Sequence, residues 1–166
     1  MGSIDGVYAS AAAWRGGHEV VSLLFDPQEV EYRTLVEKAR QFKCTSQVYA
    51  YSKEQLATAK EIVGSKAVMA DDSQRPRFAK GSDQKYHLAN SPLRALPMNS
   101  FQMMKMNSAI ARKEAYGSLL SPRQKELINK MAAKLQSDRN ALDGFVAPAD
   151  DNELGAYTAK LEKALQ

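Results

Sequence analysis

The spacing of apolar residues divides the chain into two stretches of different character. In the first ninety or so residues, short β-branched or apolar runs alternate with helical periodicity. The runs that predict strands lie at 7–12, 19–25, 47–51 and 66–70. Helical spacing predicts amphipathic helices over 28–42 and after Ser52, where Ser52-Lys53-Glu54-Gln55 has the pattern of a capping box.

Beyond Pro92 the pattern becomes helical throughout. Apolar positions three and four apart predict helices over 100–113, 121–137 and 152–165. Ser121-Pro122-Arg123-Gln124 supplies an N-cap residue, a proline at the first helical position and a glutamine at the third. Four methionines near Phe101 are assigned to the core rather than to a recognition surface: Met98, Met103, Met104 and Met106.

These elements predict an α+β fold, in which a mainly antiparallel sheet is flanked by two helices and followed by a C-terminal helical extension. We divide the chain into an α+β region, 1–92, and the helical extension, 93–166. Short amphipathic helices need a partner for their apolar faces. We therefore expect the extension to pack on the α+β region as one compact unit.

Composition and charge narrow the classes of function. The net charge of +4 is mild, and the Lys and Arg residues are scattered among acidic ones, which argues against nucleic acid as a partner. No apolar run approaches the roughly 18–20 residues of a membrane span. No signal peptide is visible either, so we expect a soluble protein, cytoplasmic by default and without membrane contact. With one cysteine and two histidines, we expect no disulfide, metal or cofactor.

Cys44, the single cysteine, is the candidate redox thiol. It follows Lys43, whose ammonium would favour the reactive thiolate, and it lies at the junction between a helix end and a strand. The alternative is a small buried residue at a strand edge, since free cysteines are often buried. A helix C-terminus would also disfavour the thiolate. The sequence leaves both interpretations open.

Three motifs along the α+β region share their order and spacing with one known family. The first contains Gly17-His18-Glu19-Val20-Val21, then Phe25-Asp26-Pro27 and Tyr32-Arg33-Thr34-Leu35. The second is SQVYAYSKEQ at 46–55, and the third is Asp83-Gln84-Lys85-Tyr86. Across about 4–88 the chain thus resembles the methionine sulfoxide reductase A family. The resemblance implies that family's α+β fold and a peptide-methionine sulfoxide reductase activity.

The chain departs from that family where the family carries its chemistry. The Gly-Cys-Phe-Trp motif with the nucleophile would lie before Ile4, and this sequence does not contain it. The family's second pocket motif is replaced by 40–46, which puts Cys44 in the place of a tyrosine, and the late histidine has become Asp83. Sulfoxide reduction needs a thiolate at the sulfur and a proton donor at the oxygen. We therefore expect the chain to be inactive as a reductase.

Five residues are candidates for binding a substrate by this resemblance: Trp14, His18, Glu19, Asp83 and Tyr86. Trp14, the only tryptophan, could instead anchor the core, an interpretation that we favour. His18 and Glu19 could instead form a solvated pair at a strand end. The partners implied are a thiol reductant or a methionine-containing peptide.

Three hypotheses of function follow. The chain is a reductase-like redox protein that lacks its cysteine segment, a binding module that recognises a peptide without chemistry, or an interaction protein that uses its C-terminal helices. An unfilled groove beside the first strand further predicts either a homodimer or a chain of marginal stability.

Overall fold

The computed structural model describes the backbone of all 166 residues and every side chain except that of Ser82. The chain forms two compact units, Met1–Gln84 and Lys85–Gln166. The first combines strands with helices and the second contains helices, so the predicted α+β class is confirmed. The division comes eight residues before the predicted one at 92/93, because Leu88 belongs to the core of the helical unit. Packing of the extension on the first region stays a prediction.

The first unit opens with a long hairpin of β1 (Val7–Arg15) and β2 (His18–Phe25). After a register shift between Val7 and Ala9, the pairing continues up to Arg15 opposite His18, so β1 is three residues longer than the predicted strand. A short strand, β5 (Arg77–Phe78), pairs antiparallel with β1 on its other side, which gives the strand order β2-β1-β5. The sequence predicted no strand at the position of β5.

A second sheet lies in the same unit. Strands β3 (Val48–Ala50) and β4 (Ala67–Met69) pair in parallel, joined by helix α2 (Lys53–Val63). Parallel strands need such a crossover, whereas a tight turn suffices for β1 and β2. Helix α1 (Tyr32–Gln41) packs on α2. The strands therefore form two sheets, one antiparallel and one parallel, and not a single mainly antiparallel sheet.

Local sequence signals explain the bounds of α2. Ser52 accepts a hydrogen bond from the backbone N–H of Gln55, as the capping-box pattern predicted, and Gly64 follows the last helical residue. The core between the helices and the parallel sheet is built from Val36, Ala59 and Ala67. The predicted start of α1 at 28 is wrong, because the helix begins at Tyr32.

The second unit contains four α-helices: α3 (Tyr86–Ala89), α4 (Ser100–Arg112), α5 (Pro122–Ser137) and α6 (Leu154–Ala164). The predicted start of α5 is confirmed, since Ser121 and Gln124 form a reciprocal capping box. The core assignment of the methionines is also confirmed, because the following are buried: Met98, Met103, Met104 and Met106. In the described part of the chain, no helix is long and apolar enough to cross a membrane.

Candidate functional site

The tip of the β1–β2 hairpin brings together three of the five predicted binding residues. Gly16 and Gly17 form the two-residue turn, with φ of 55° and 79°, the left-handed values that a type I′ turn requires. The register then places Trp14 opposite Glu19 and Arg15 opposite His18. Side chains alternate between the faces of a strand. Trp14 and Glu19 therefore share one face of the sheet, and His18 shares the other face with Arg15.

On the first of these faces, three side chains form a row across three strands. Arg77 of β5 pairs with Trp14 of β1, which pairs with Glu19 of β2. All three are exposed, and Trp14 keeps 43% of its surface accessible. The favoured interpretation of Trp14 as a core anchor is therefore wrong. We refer to Arg77, Trp14 and Glu19 as the exposed row. It offers an aromatic surface between a cation and a carboxylate, with neighbouring Cβ atoms about 5 Å apart.

The opposite face of the tip holds a buried cation. Arg15 is only 4% exposed, and its guanidinium lies over the rings of Tyr49 and Tyr51, at 4.7 and 5.5 Å from the ring centres. One terminal nitrogen donates to the Tyr51 hydroxyl and the other to the backbone carbonyl of Asp71, both at 2.7 Å. The Tyr49 hydroxyl in turn donates to the carbonyl of Arg15 at 3.0 Å. We call this cluster the arginine clamp.

The arginine clamp fixes the hairpin tip against the end of β3. A cation that lies between two aromatic rings gains electrostatic energy from both ring faces. The Nε atom of Arg15 is buried without a hydrogen-bond partner among the described atoms. The buried positive charge is therefore stabilised by two hydrogen bonds from the terminal nitrogens and by the two tyrosine rings. Tyr49 and Tyr51 lie in or beside the strand predicted at 47–51, and Arg15 was not identified from the sequence. A sequence signal existed, because Arg15 continues the alternation of apolar residues at 7, 9, 11 and 13.

Cys44 lies apart from the hairpin tip. Its thiol is exposed and contacts the carbonyl of Phe42 at 3.4 Å, while its backbone N–H caps α1 by donating to Ala39. Cys44 comes four residues before Val48, the first residue of β3, whereas Tyr51 directly follows Ala50, the last residue of that strand. The interpretation of Cys44 as a buried strand-edge residue is therefore wrong. The thiol is accessible, but it lies at the end of β3 remote from the arginine clamp.

The late motif Asp83-Gln84-Lys85-Tyr86 spans the division between the two units. Asp83 is exposed near the end of the first unit. Tyr86, 63% exposed, is the first residue of α3 in the second unit, where its ring meets that of His87 edge-on. Gln84 has the structural role, because its side-chain amide pairs with both backbone groups of Ala12 at 2.8 Å. Gln84 thus extends the β1 ladder beyond β5, which the sequence analysis did not foresee.

Burial changes the pKa of the lysine between these residues. Lys85 is half-buried, and loss of solvent lowers the pKa of its ammonium. Its backbone is in the left-handed region, with φ of 50°. No ligand-binding role follows from this position.

The helical unit contains a cavity of about 570 Å³ between the first turns of α4 and α5. Its wall includes the side-chain amides of Gln102 and Gln124, which bond to each other at 2.8 Å and to the carbonyls of Leu119 and Pro97. The nearby guanidinium of Arg123 bonds to Glu162. Because these groups have partners within the unit, the cavity wall is a structural network.

No protein-family model, curated protein or solved structure matches this chain. Within the described residues, no group of three or more His, Cys, Asp or Glu side chains is placed to hold a metal ion. The described side chains at the hairpin tip are an exposed indole, a guanidinium and a carboxylate on one face of the sheet, and the thiol of Cys44 is remote from them.

Proposed function

We propose that this chain is a methionine sulfoxide reductase A-like binding module, which recognises an oxidised methionine side chain on a peptide and does not reduce it. The exposed row carries the proposal. Arg77 is a hydrogen-bond donor beside the Trp14 ring, on the same face of the sheet. A methionine sulfoxide side chain has an acceptor oxygen and an apolar methyl group on the same sulfur. It therefore matches a donor next to an aromatic ring.

Each residue of the exposed row has a distinct part in this proposal. The Trp14 ring packs against the sulfur and its methyl group, as thioether sulfur does against aromatic rings. The Arg77 guanidinium donates to the sulfoxide oxygen, and a bond from a charged donor is about twice as strong as a neutral one. Glu19 accepts from a backbone N–H of the peptide. The arginine clamp keeps the hairpin tip in place beneath the row.

The position of the thiol supports binding without reduction. Reduction requires the thiolate to reach the sulfur while a proton donor reaches the oxygen. Cys44 lies before the first residue of β3. The hairpin tip is fixed at the other end of that strand, through the hydrogen bond from Arg15 to Tyr51. Three strand residues at about 3.3 Å each separate these two ends. A sulfoxide on the exposed row is thus out of reach of Cys44.

The test uses Trp14 as the reporter, because it is the only tryptophan and lies in the row. We expect its fluorescence to change saturably with a peptide that contains methionine sulfoxide. The unoxidised peptide should bind more weakly. Arg77→Gln should weaken sulfoxide binding about tenfold, the loss of one hydrogen bond from a charged donor. Arg75→Gln, an exposed change two residues away, is the matched control and should bind normally.

Two results would overturn the proposal. Equal affinity for the oxidised and unoxidised peptides, or for Arg77→Gln and Arg75→Gln, would remove the exposed row as the recognition site. Turnover of the sulfoxide peptide with dithiothreitol, abolished by Cys44→Ser, would make the chain a reductase.

A further inference from the structure

Strand β2 forms an open edge of the antiparallel sheet. In the order β2-β1-β5, β1 is its one neighbour among the described strands. The eight residues 18–25 contain neither proline nor lysine, the residues with which proteins commonly protect such edges. Val21 and Leu24 are also exposed, the latter by 66%. An unprotected edge of this length is a template for another strand.

The register identifies the backbone groups that face outward. Arg15 and His18 flank the two-residue turn and are bonded to each other, and bonded and non-bonded pairs then alternate along the hairpin. Glu19, Val21 and Leu23 therefore direct their N–H and C=O groups away from β1. Ala12, opposite Val21, supports this assignment, because its N–H and C=O bond to Gln84 and Ala79 on the side away from β2.

We propose that this edge pairs with β2 of a second copy of the chain, antiparallel and about a two-fold axis at Ser22. This register aligns outward groups with outward groups, since Val21 lies opposite Leu23 of the second copy and Glu19 opposite Phe25. Each such pair exchanges both of its N–H···O=C bonds. A shift of one residue between the strands would align outward groups with inward ones.

The side chains of β2 favour this axis over the neighbouring ones. On the face that carries Ser22, Val20 lies opposite Leu24 of the second copy and covers that exposed side chain. His18 lies opposite Asp26, whose Oδ1 accepts from Gln28 and whose second oxygen can accept from the imidazole. An axis at Val21 would put Glu19 against Leu23, and an axis at Leu23 would put Val20 against Asp26. The axis at Ser22 also puts Glu19 against Phe25, but it is the one axis of the three that places His18 opposite a carboxylate.

This self-complementarity indicates a second copy rather than an unrelated peptide. Four apolar positions of one strand (20, 21, 23 and 24) lie opposite apolar positions, and an imidazole lies opposite a carboxylate at both ends. The two three-stranded sheets then join into one six-stranded sheet in the order β5-β1-β2-β2-β1-β5. The inference rests on the outward backbone groups of β2, whereas peptide recognition rests on the side chains of Trp14 and Arg77, so each can fail without the other.

Cysteine cross-linking tests both the pairing and its register. In a Cys44→Ser background, Ser22→Cys should form an intermolecular disulfide under mild oxidation, because residue 22 faces itself across the axis with Cα atoms about 4.5 Å apart. Val20→Cys and Leu24→Cys are the matched controls and should cross-link far more slowly. Light scattering with size exclusion should give twice the 18.3 kDa of the chain, falling toward a single copy on dilution.

A further variant removes one outward donor and leaves the hairpin bonds in place. Val21→Pro loses an N–H that points away from β1, so the chain should fold but remain a monomer, whereas Val21→Thr should dimerise. A single-copy mass at all concentrations would overturn the proposal, as would equal cross-linking at 20, 22 and 24. A monomer whose edge binds extended peptides, with Val21→Pro abolishing that binding, would assign the edge to a peptide and likewise overturn it.

Discussion

Replacing Tyr51 by phenylalanine should destabilise the first unit far more than its exposure suggests. Tyr51 is 66% exposed, and substitutions at such positions usually change the free energy of unfolding by less than about 0.5 kcal/mol. Its hydroxyl, however, accepts one of the two hydrogen bonds recorded for the Arg15 guanidinium, which is 4% exposed and already has an unpartnered Nε. Phenylalanine keeps the ring and removes only this acceptor.

The magnitude follows from the charge of the donor. A hydrogen bond to a charged group contributes about 1.5–3 kcal/mol, and a buried donor without an acceptor bears the loss in full. For a unit of 84 residues, 1 kcal/mol corresponds to about 4–8 °C, so the midpoint of thermal unfolding should fall by about 10 °C. Guanidinium chloride unfolding followed by Trp14 fluorescence measures the change within the first unit.

Tyr8→Phe is the matched control for this experiment. The Tyr8 hydroxyl makes a hydrogen bond too, donating at 2.6 Å to Glu29, but both partners are exposed and water can replace this bond. Its unfolding midpoint should equal that of the unmodified chain. If Tyr51→Phe behaved like Tyr8→Phe, water would be able to reach Arg15, and the assignment of a sealed arginine clamp would be refuted.

Three further experiments test other parts of the structure. Gly16→Ala should destabilise the first unit by more than Gly17→Ala in denaturant unfolding, because both require the left-handed region at about 1–2 kcal/mol but only the Cβ at 16 meets the Tyr49 hydroxyl, at 2.7 Å. Cys44 should react with Ellman's reagent in the folded protein as fast as in denaturant, since its thiol is exposed. Tyr157→Phe should flatten the loss of stability above pH 10, because burial raises the pKa of Tyr157 to about 12.

The sign of the last effect follows from the protonation states. Tyrosine in the unfolded chain ionises near pH 10, whereas Tyr157 in the folded chain keeps its proton to about pH 12. The folded state therefore loses stability as the pH rises from about 10 to 12, and this group costs it none below pH 10. Near pH 7 the variant should lose about 1 kcal/mol, the hydrogen bond from Tyr157 to the carbonyl of Ala95. If Tyr157→Phe and the unmodified chain lost stability equally with rising pH, the burial of the Tyr157 hydroxyl would be contradicted. Equal destabilisation by Gly16→Ala and Gly17→Ala would contradict the close approach of Tyr49 to position 16. A slower reaction of Cys44 in the folded protein than in denaturant would contradict the exposure of its thiol.

Local sequence signals predicted most helices and strands of the fold. Periodicity identified α2, α4, α5 and α6, and capping residues fixed the start of α2 and α5, because these signals act within one turn of a helix. The two-residue strand β5 was missed, since its pairing depends on β1, more than sixty residues away in sequence. The separation into two sheets was missed for the same reason, because strand order is a non-local property.

The candidate site was predictable only in part. Trp14, His18 and Glu19 were identified through the motif around the hairpin turn, and the structure places them at its tip. Arg77 and Arg15 were missed, because one lies in a segment without strand periodicity and the other is a charged residue at a buried position. A buried arginine contradicts the binary pattern on which sequence interpretation relies. Its neighbours Tyr49 and Tyr51, which make the position tolerable, come from a different strand segment.

The concentration of thioethers in the helical core has a consequence for survival under oxidative stress. Four methionines are buried there: Met98, Met103, Met106 and Met131. While the helices are closed, oxidants in solvent cannot reach these sulfur atoms. Each transient opening exposes them, and a sulfoxide formed in that interval is too polar to return to the core. Oxidation would therefore be cumulative. In an aged population of molecules, the fraction with an opened helical unit would rise even while the hairpin stays intact.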